Sequence, residues 1–281
     1  MRSFRSLARV VALGVSVGLL ALPGIAGAQN LMQDIKKRGT INFGTELHYA
    51  PFEFLKDGEA VGFDIDLLKL ITENLGVKAN YTDLPWASVL PGLEAKKFDM
   101  VTAGTTITKA RSERYIFTLP IGNGTVGFVK RKGDKTVNKP DDVIGKVIGG
   151  VKGSQQLKTT EEYVAKLPNG GVKELKIYVN STEAYSDLAA GRISAVSGAL
   201  PNLAYLAKTR PDEFELVPQT FGPPAYLAWV LRKDTESESL RDAVNAELVK
   251  LNKSGKVKEL QEKWFGVAME LPTANVPEPM F

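Results

Sequence analysis

The 281-residue chain has no cysteine and a single histidine, His48. Disulfides, thiol catalysis and lipid attachment through an N-terminal cysteine are therefore excluded. A zinc site built from Cys and His is not expected. Neither sign of charge dominates, with 36 Lys and Arg against 32 Asp and Glu interspersed along the chain. That balance gives no basic field for nucleic acid. The sequence shows no Gly-x-Ser-x-Gly elbow, no phosphate loop and no metal-ligand cluster, so no catalytic residue, metal or cofactor is expected.

What is present begins with an export signal. Arg2, Arg5 and Arg9 form a basic start, Val10 to Leu22 an apolar core, and Ala26-Gly27-Ala28 a small-residue cleavage site before Gln29. The apolar run is short of the about 20 residues that a membrane span needs. Residues 1–28 are thus read as a signal peptide cleaved after Ala28. They hold three arginines and no acid, so their loss lowers the formal charge of +4 by three. About 250 residues remain, enough for one large or two modest domains.

The rest alternates strand-like and helix-like segments, the pattern of an α/β fold with mostly parallel sheets. Thr40 to Thr45 reads as a strand. Asp64 reads as the N-cap of a helix whose apolar stripe is Ile65, Leu68, Ile71 and Leu75, stopped by Gly76. A strand at Ala79 to Thr82, a helix from Trp86 and a strand at Phe98 to Ala103 follow. The pattern restarts with a strand at Lys146 to Val151, a helix capped by Ser154, and further βα units to Val217. The strand-like Ala225 to Arg232 and two helices, Ser237 to Ser254 and Lys256 to Phe265, close the chain. Two such blocks imply two lobes, with a crossover near Leu119 to Val129 and a return near Phe221 to Leu231. Open α/β sheets bind ligands beyond the carboxyl ends of their strands, so the cleft between lobes is the expected site.

One stretch carries chemistry. Ala103-Gly104-Thr105-Thr106-Ile107-Thr108-Lys109-Ala110-Arg111 joins a strand end rich in small and hydroxyl residues to a helix start with an arginine in its first turn. Free N–H groups, hydroxyls and a guanidinium fork together suit a carboxylate. Thr108 reads equally as a helix cap, and Arg111 as a surface residue.

The mature chain resembles the periplasmic solute-binding proteins of polar amino-acid ABC transporters. The resemblance rests on an ordered set of segments: Ile35-Lys36-Lys37-Arg38-Gly39-Thr40, Gly44-Thr45-Glu46 with Tyr49-Ala50-Pro51-Phe52-Glu53-Phe54, and Gly62-Phe63-Asp64-Ile65-Asp66-Leu67. Thr106 to Arg111, Gly191-Arg192-Ile193, and Gly255-Lys256 through Trp264-Phe265-Gly266 complete it. It implies a two-lobed periplasmic-binding-protein fold of type II, each lobe a mostly parallel sheet flanked by helices, joined by a two-strand hinge. Lobe 1 is expected at 29–122 and 226–281, lobe 2 at 123–225. The implied activity is capture of a small amino acid or amino-acid-like carboxylate by hinge closure. The implied partner is a membrane permease, the implied location the periplasm and the implied state a monomer.

By position, the resemblance makes Trp86 the aromatic that stacks on the ligand, with Tyr49 opposite. Trp86 opens a helix directly after a strand, which suits the cleft, whereas Phe52 is expected in the core. Gly104, Thr106 and Arg111 match the carboxylate grip of lobe 1, with Ala103 beside them as a further ligand-binding residue, and Ser154 and Gln155 match that of lobe 2. One position departs. Where the family usually carries an aspartate for the ligand's ammonium, this chain has Ala199. A buried ammonium without an anion is costly, so either Glu46 supplies the charge from the first loop or the ligand is an organic acid without that amine. A third reading is an enzyme resembling the exported dehydratases of prephenate-like acids, for which His48 and Glu46 are the available proton carriers.

Overall fold

The computed structural model describes residues 30–281. The signal segment at 1–28, with its cleavage position after Ala28, lies outside the described residues.

Two sheets of the same plan organise the chain. The first runs Lys78–Asp83, Thr40–Thr45, Met100–Thr106, Tyr226–Arg232 and Tyr115–Phe117, with Gly122–Asn123 added beside Tyr226–Arg232. Its first three strands are parallel and Tyr226–Arg232 is antiparallel. The second runs Glu174–Tyr178, Val147–Val151, Ala195–Ala199, Val126–Arg131 and Phe214–Leu216, again three parallel strands and then an antiparallel one. Strands covered on both faces read as nearly continuous apolar runs. Tyr226–Arg232 shows why: Leu227, Trp229 and Leu231 enter one core and Ala228 and Val230 the other. The first core also takes Phe43, Phe63, Leu67 and Ile71, all essentially unexposed. Burying each such side chain contributes about 1.5–3 kcal/mol, which gives the lobe a rigid body without a disulfide.

The lobes meet through two extended segments. Asn123 and Gly122 pair with Tyr226 and Leu227, and Val126 bridges Phe221. Between them the chain makes the whole second sheet, so both connections lie side by side, the arrangement of a two-strand hinge.

Three features differ from the sequence expectation. A helix at Leu31–Arg38, capped by the Asn30 side chain, was not anticipated, being too short for a clear apolar period. So was a small ribbon of His48–Tyr49, Glu53–Lys56 and Glu59–Val61. The third is a correction. Asp64 is not an N-cap: the helix is Phe63–Leu75 and Gly62 precedes it. The Asp64 carboxyl instead turns inward, and Trp229 Nε1 donates to its Oδ2 at 3.0 Å. Gly62 makes this possible. Its φ is 137° and an added Cβ would lie 2.2 Å from the Phe52 carbonyl oxygen. Only glycine lets the Phe63 and Asp64 N–H groups reach the Pro51 and Phe52 carbonyls, at 2.9 and 2.8 Å. Those bonds close the base of the ribbon and hold Tyr49 at the cleft. Phe52 packs in the core as expected, stacked on Tyr49 with centroids 5.5 Å apart.

Candidate functional site

A cavity lies between the two sheets. Apart from Tyr49, the walls are built from the carboxyl-terminal parts of parallel strands and the turns and helix starts that follow them. From the first lobe come Glu46, just beyond Thr40–Thr45; Trp86, the first residue of the helix Trp86–Glu94; and Ala103, Gly104 and Thr106 of Met100–Thr106. Tyr49 of the ribbon and Arg111 of the helix Lys109–Arg114 complete that side. From the second lobe come Val151, Ser154 and Gln156, then Ser181 at another helix start, then Ser197, Gly198 and Ala199.

Arg111 is fixed by its own chain. Its N–H donates to the Thr108 hydroxyl at 3.2 Å, the cap of the helix. Its Nη1 donates to the Thr106 carbonyl at 3.1 Å, and the guanidinium lies 5.4 Å from the centroid of the Trp86 ring. No ion pair among the described residues includes Arg111. Burial pushes its pKa down to about 10, still far above neutrality. The cavity therefore holds a fixed cation whose remaining donors lack an anion, the polarity that receives a carboxylate.

Glu46 is the acid of the cavity wall, 5% exposed, with Oε1 buried and without a hydrogen-bond partner. Burial, then the nearby Asp83 carboxylate, raises its pKa to about 8, against the lowering effect of the Trp86 N–H. Asp83 is itself engaged, accepting from the Leu47 N–H at 2.9 Å. No ion pair among the described residues includes Glu46. A ligand carrying an ammonium or guanidinium would supply a cation and favour the ionised form.

Ser154 caps the helix Gln155–Val164, accepting from the Leu157 N–H at 3.0 Å and donating to the Val151 carbonyl at 2.9 Å. Gly153, at φ +74°, turns the chain into that cap.

Of the ten residues singled out from the sequence, nine line this cavity: Glu46, Tyr49, Trp86, Ala103, Gly104, Thr106, Arg111, Ser154 and Ala199. Gln155 does not. Its amide is directed to the Thr159 hydroxyl at 3.4 Å along its own helix, and the next residue takes the wall position. Gln156 Nε2 donates to Thr106 Oγ1 of the opposite lobe at 3.4 Å. One helical step turns a side chain by about 100°, so an error of one residue exchanges a wall residue for its neighbour. Val151, Ser181, Ser197 and Gly198 were missed. Their signal was positional: Val151 ends a parallel strand, Ser181 opens the helix after one, and Ser197 and Gly198 lie in the last three residues of another. His48 is exposed and belongs to an outer groove rather than to the cavity.

The description "Bacterial extracellular solute-binding proteins, family 3" matches residues 41–267. The chain belongs to that family. The L-cystine-binding protein TcyJ of Escherichia coli is 29% identical over 259 residues, covering 89% of this chain and 94% of TcyJ. The L-arginine-binding protein of Pseudomonas aeruginosa is 30% identical over 271 residues, covering 93% and 96%. Among solved structures, the ancestral amino acid-binding protein AncCDT-1, a precursor of cyclohexadienyl dehydratase, superposes with a TM-score of 0.74 at 29% identity. That match covers 83% of this chain and 99% of AncCDT-1. The solute-binding family thus accounts for both lobes, since its match runs across each sheet.

Proposed function

We propose that this chain is the periplasmic substrate-binding component of an ABC transporter, which captures a small amino acid or amino-acid-like carboxylate and delivers it to a membrane permease. The observation that carries the reading is the half-buried Arg111 guanidinium, in no ion pair among the described residues, lining one cavity with Glu46, whose buried Oε1 has no hydrogen-bond partner. The two poles suit a zwitterion. The carboxylate lies against Arg111, Thr106 and the helix start at Ser154; the cation lies against Glu46; Trp86 and Tyr49 cover the apolar body. The relatives named for cystine and arginine, both amino acids, support the same class.

Lobe 1 comprises 29–122 and 226–281 and lobe 2 comprises 123–225. A ligand that touches both lobes makes its full set of contacts only when they are shut, and so shifts the open–closed equilibrium towards closure. The protein works as a monomer after cleavage behind Ala28, and performs no chemistry on its cargo. Calorimetry with L-arginine, a neutral amino acid and the deaminated 2-oxo analogue of that amino acid tests the reading. Preference for L-arginine supports it. Preference for the 2-oxo acid overturns the amino-acid assignment in favour of an organic acid, which Ala199 in the cavity wall would suit. Release of an aromatic product from prephenate or arogenate would overturn the carrier reading itself.

A further inference from the structure

Among the described residues, two side chains hydrogen-bond from one lobe to the other, Gln156 and Asn202. Gln156 lines the ligand cavity, so a ligand competes for its amide. Asn202 does not line that cavity. It lies on the helix Leu200–Thr209, which begins directly after the wall residue Ala199. Its Nδ2 donates to the Ala50 carbonyl at 2.7 Å and to the Tyr49 carbonyl at 3.3 Å, both in the first lobe. The residue is only 3% exposed. Beside it, Tyr205 of the same helix meets Phe54 of the ribbon with ring centroids 5.9 Å apart.

We propose that Asn202 is a latch that holds the two lobes shut without touching the ligand, and so sets affinity for every ligand by a common factor. The proposal rests on the reading of the cleft as a closing ligand site. A primary amide is the group for this position, because its two N–H bonds can serve two consecutive carbonyls. An aspartate accepts only, and would face those carbonyls with the wrong polarity. When the lobes part, water satisfies the amide and both carbonyls, so these bonds distinguish closed from open rather than folded from unfolded. Their partners, Tyr49 and Ala50, are held in place by the Gly62 turn. The Tyr49 carbonyl also accepts from the Phe52 N–H at 3.0 Å, which gives the latch a rigid seat. A ligand binds the competent closed form, and its apparent affinity scales with the population of that form.

The test compares the wild-type protein with N202D and N202A, after thermal melts establish that both variants fold. Affinities are measured for L-arginine, L-histidine and L-cystine, and ligand-free small-angle X-ray scattering gives the radius of gyration. N202D is expected to weaken every ligand that the wild type binds by one common factor of about tenfold. N202A should do the same by a smaller factor, and N202D should have the larger ligand-free radius. Unchanged affinity, factors that differ between ligands, or unchanged ligand-free scattering overturns the latch. If the wild type binds none of the three, the amino-acid reading fails and the scattering comparison alone decides the latch.

Discussion

The site predicts that binding of a cationic ligand releases a proton. Glu46 is buried beside Asp83 and has a pKa raised to about 8. At pH 7 such a carboxyl is neutral in about nine molecules of ten. A ligand ammonium or guanidinium placed against it returns the pKa towards the ordinary carboxylate range. Binding at pH 7 therefore expels about 0.9 proton, and ionising the acid costs about 1.4 kcal/mol there. That cost grows by about 1.4 kcal/mol for each unit below pH 7 and vanishes above pH 8. Affinity should consequently rise about tenfold per pH unit between pH 5 and 8 and then level off. Calorimetry at pH 7 in phosphate and in Tris reads the proton directly, because the two buffers differ in ionisation enthalpy. E46Q should abolish both the proton release and the slope, and weaken a cationic ligand throughout. Equal heats in the two buffers, or an affinity flat from pH 6 to 8, would refute the assignment of Glu46 as the cation's partner.

Three further outcomes follow from named contacts. R111A removes the cavity's fixed cation, whose hydrogen bonds to a carboxylate are worth about 1.5–3 kcal/mol, so binding should weaken by at least tenfold with little change in melting temperature; micromolar or tighter affinity in that variant would count against the carboxylate assignment. Q156A should weaken binding whereas Q155A should leave it close to wild type, because only Gln156 lines the cavity; the reverse order in a titration would show that the helix presents its other face. The ligand-free protein should lose stability as pH rises from 5 to 8: Glu46 and Asp64 have folded-state pKa values raised to about 8, and burial beside Asp64 raises that of Glu53 as well. These acids are protonated in the fold and ionise near pH 4 when it opens, so the stability they contribute is present at low pH and lost through this window; a melting temperature that climbs from pH 5 to 8 would contradict the burial of this cluster.

The Glu53–Asp64 pair has a physical reason that sequence does not disclose. Asp64 accepts from Trp229, 165 positions away in the chain, while Asp64 Oδ1 and both Glu53 oxygens have no donor. Burial without an ion pair among the described residues raises the pKa of both carboxyls and favours their protonated forms. Read locally, an aspartate ahead of an apolar helix is a cap; the reading failed because the Gly62 turn let backbone carbonyls do the capping work and freed the side chain for the core.

What the sequence determined by itself was periodic or punctuated. The alternation of Leu227, Trp229 and Leu231 with Ala228 and Val230 is written in consecutive residues, as is the Ser154 cap behind Gly153. The strand-to-helix passage from Ala103 to Arg111 is likewise local, because backbone geometry and the nearest few side chains decide it. What only the tertiary structure decided involves segments far apart in the chain: which of Gln155 and Gln156 faces the cleft, the small residues Ser181, Ser197 and Gly198 on the far wall, the inward turn of Asp64 to Trp229 within one lobe, and the reach of Asn202 to the Tyr49 and Ala50 carbonyls of the other. Each depends on a side-chain direction across some 50 to 165 residues of chain, and no local period records the angle at which separately folded sheets meet.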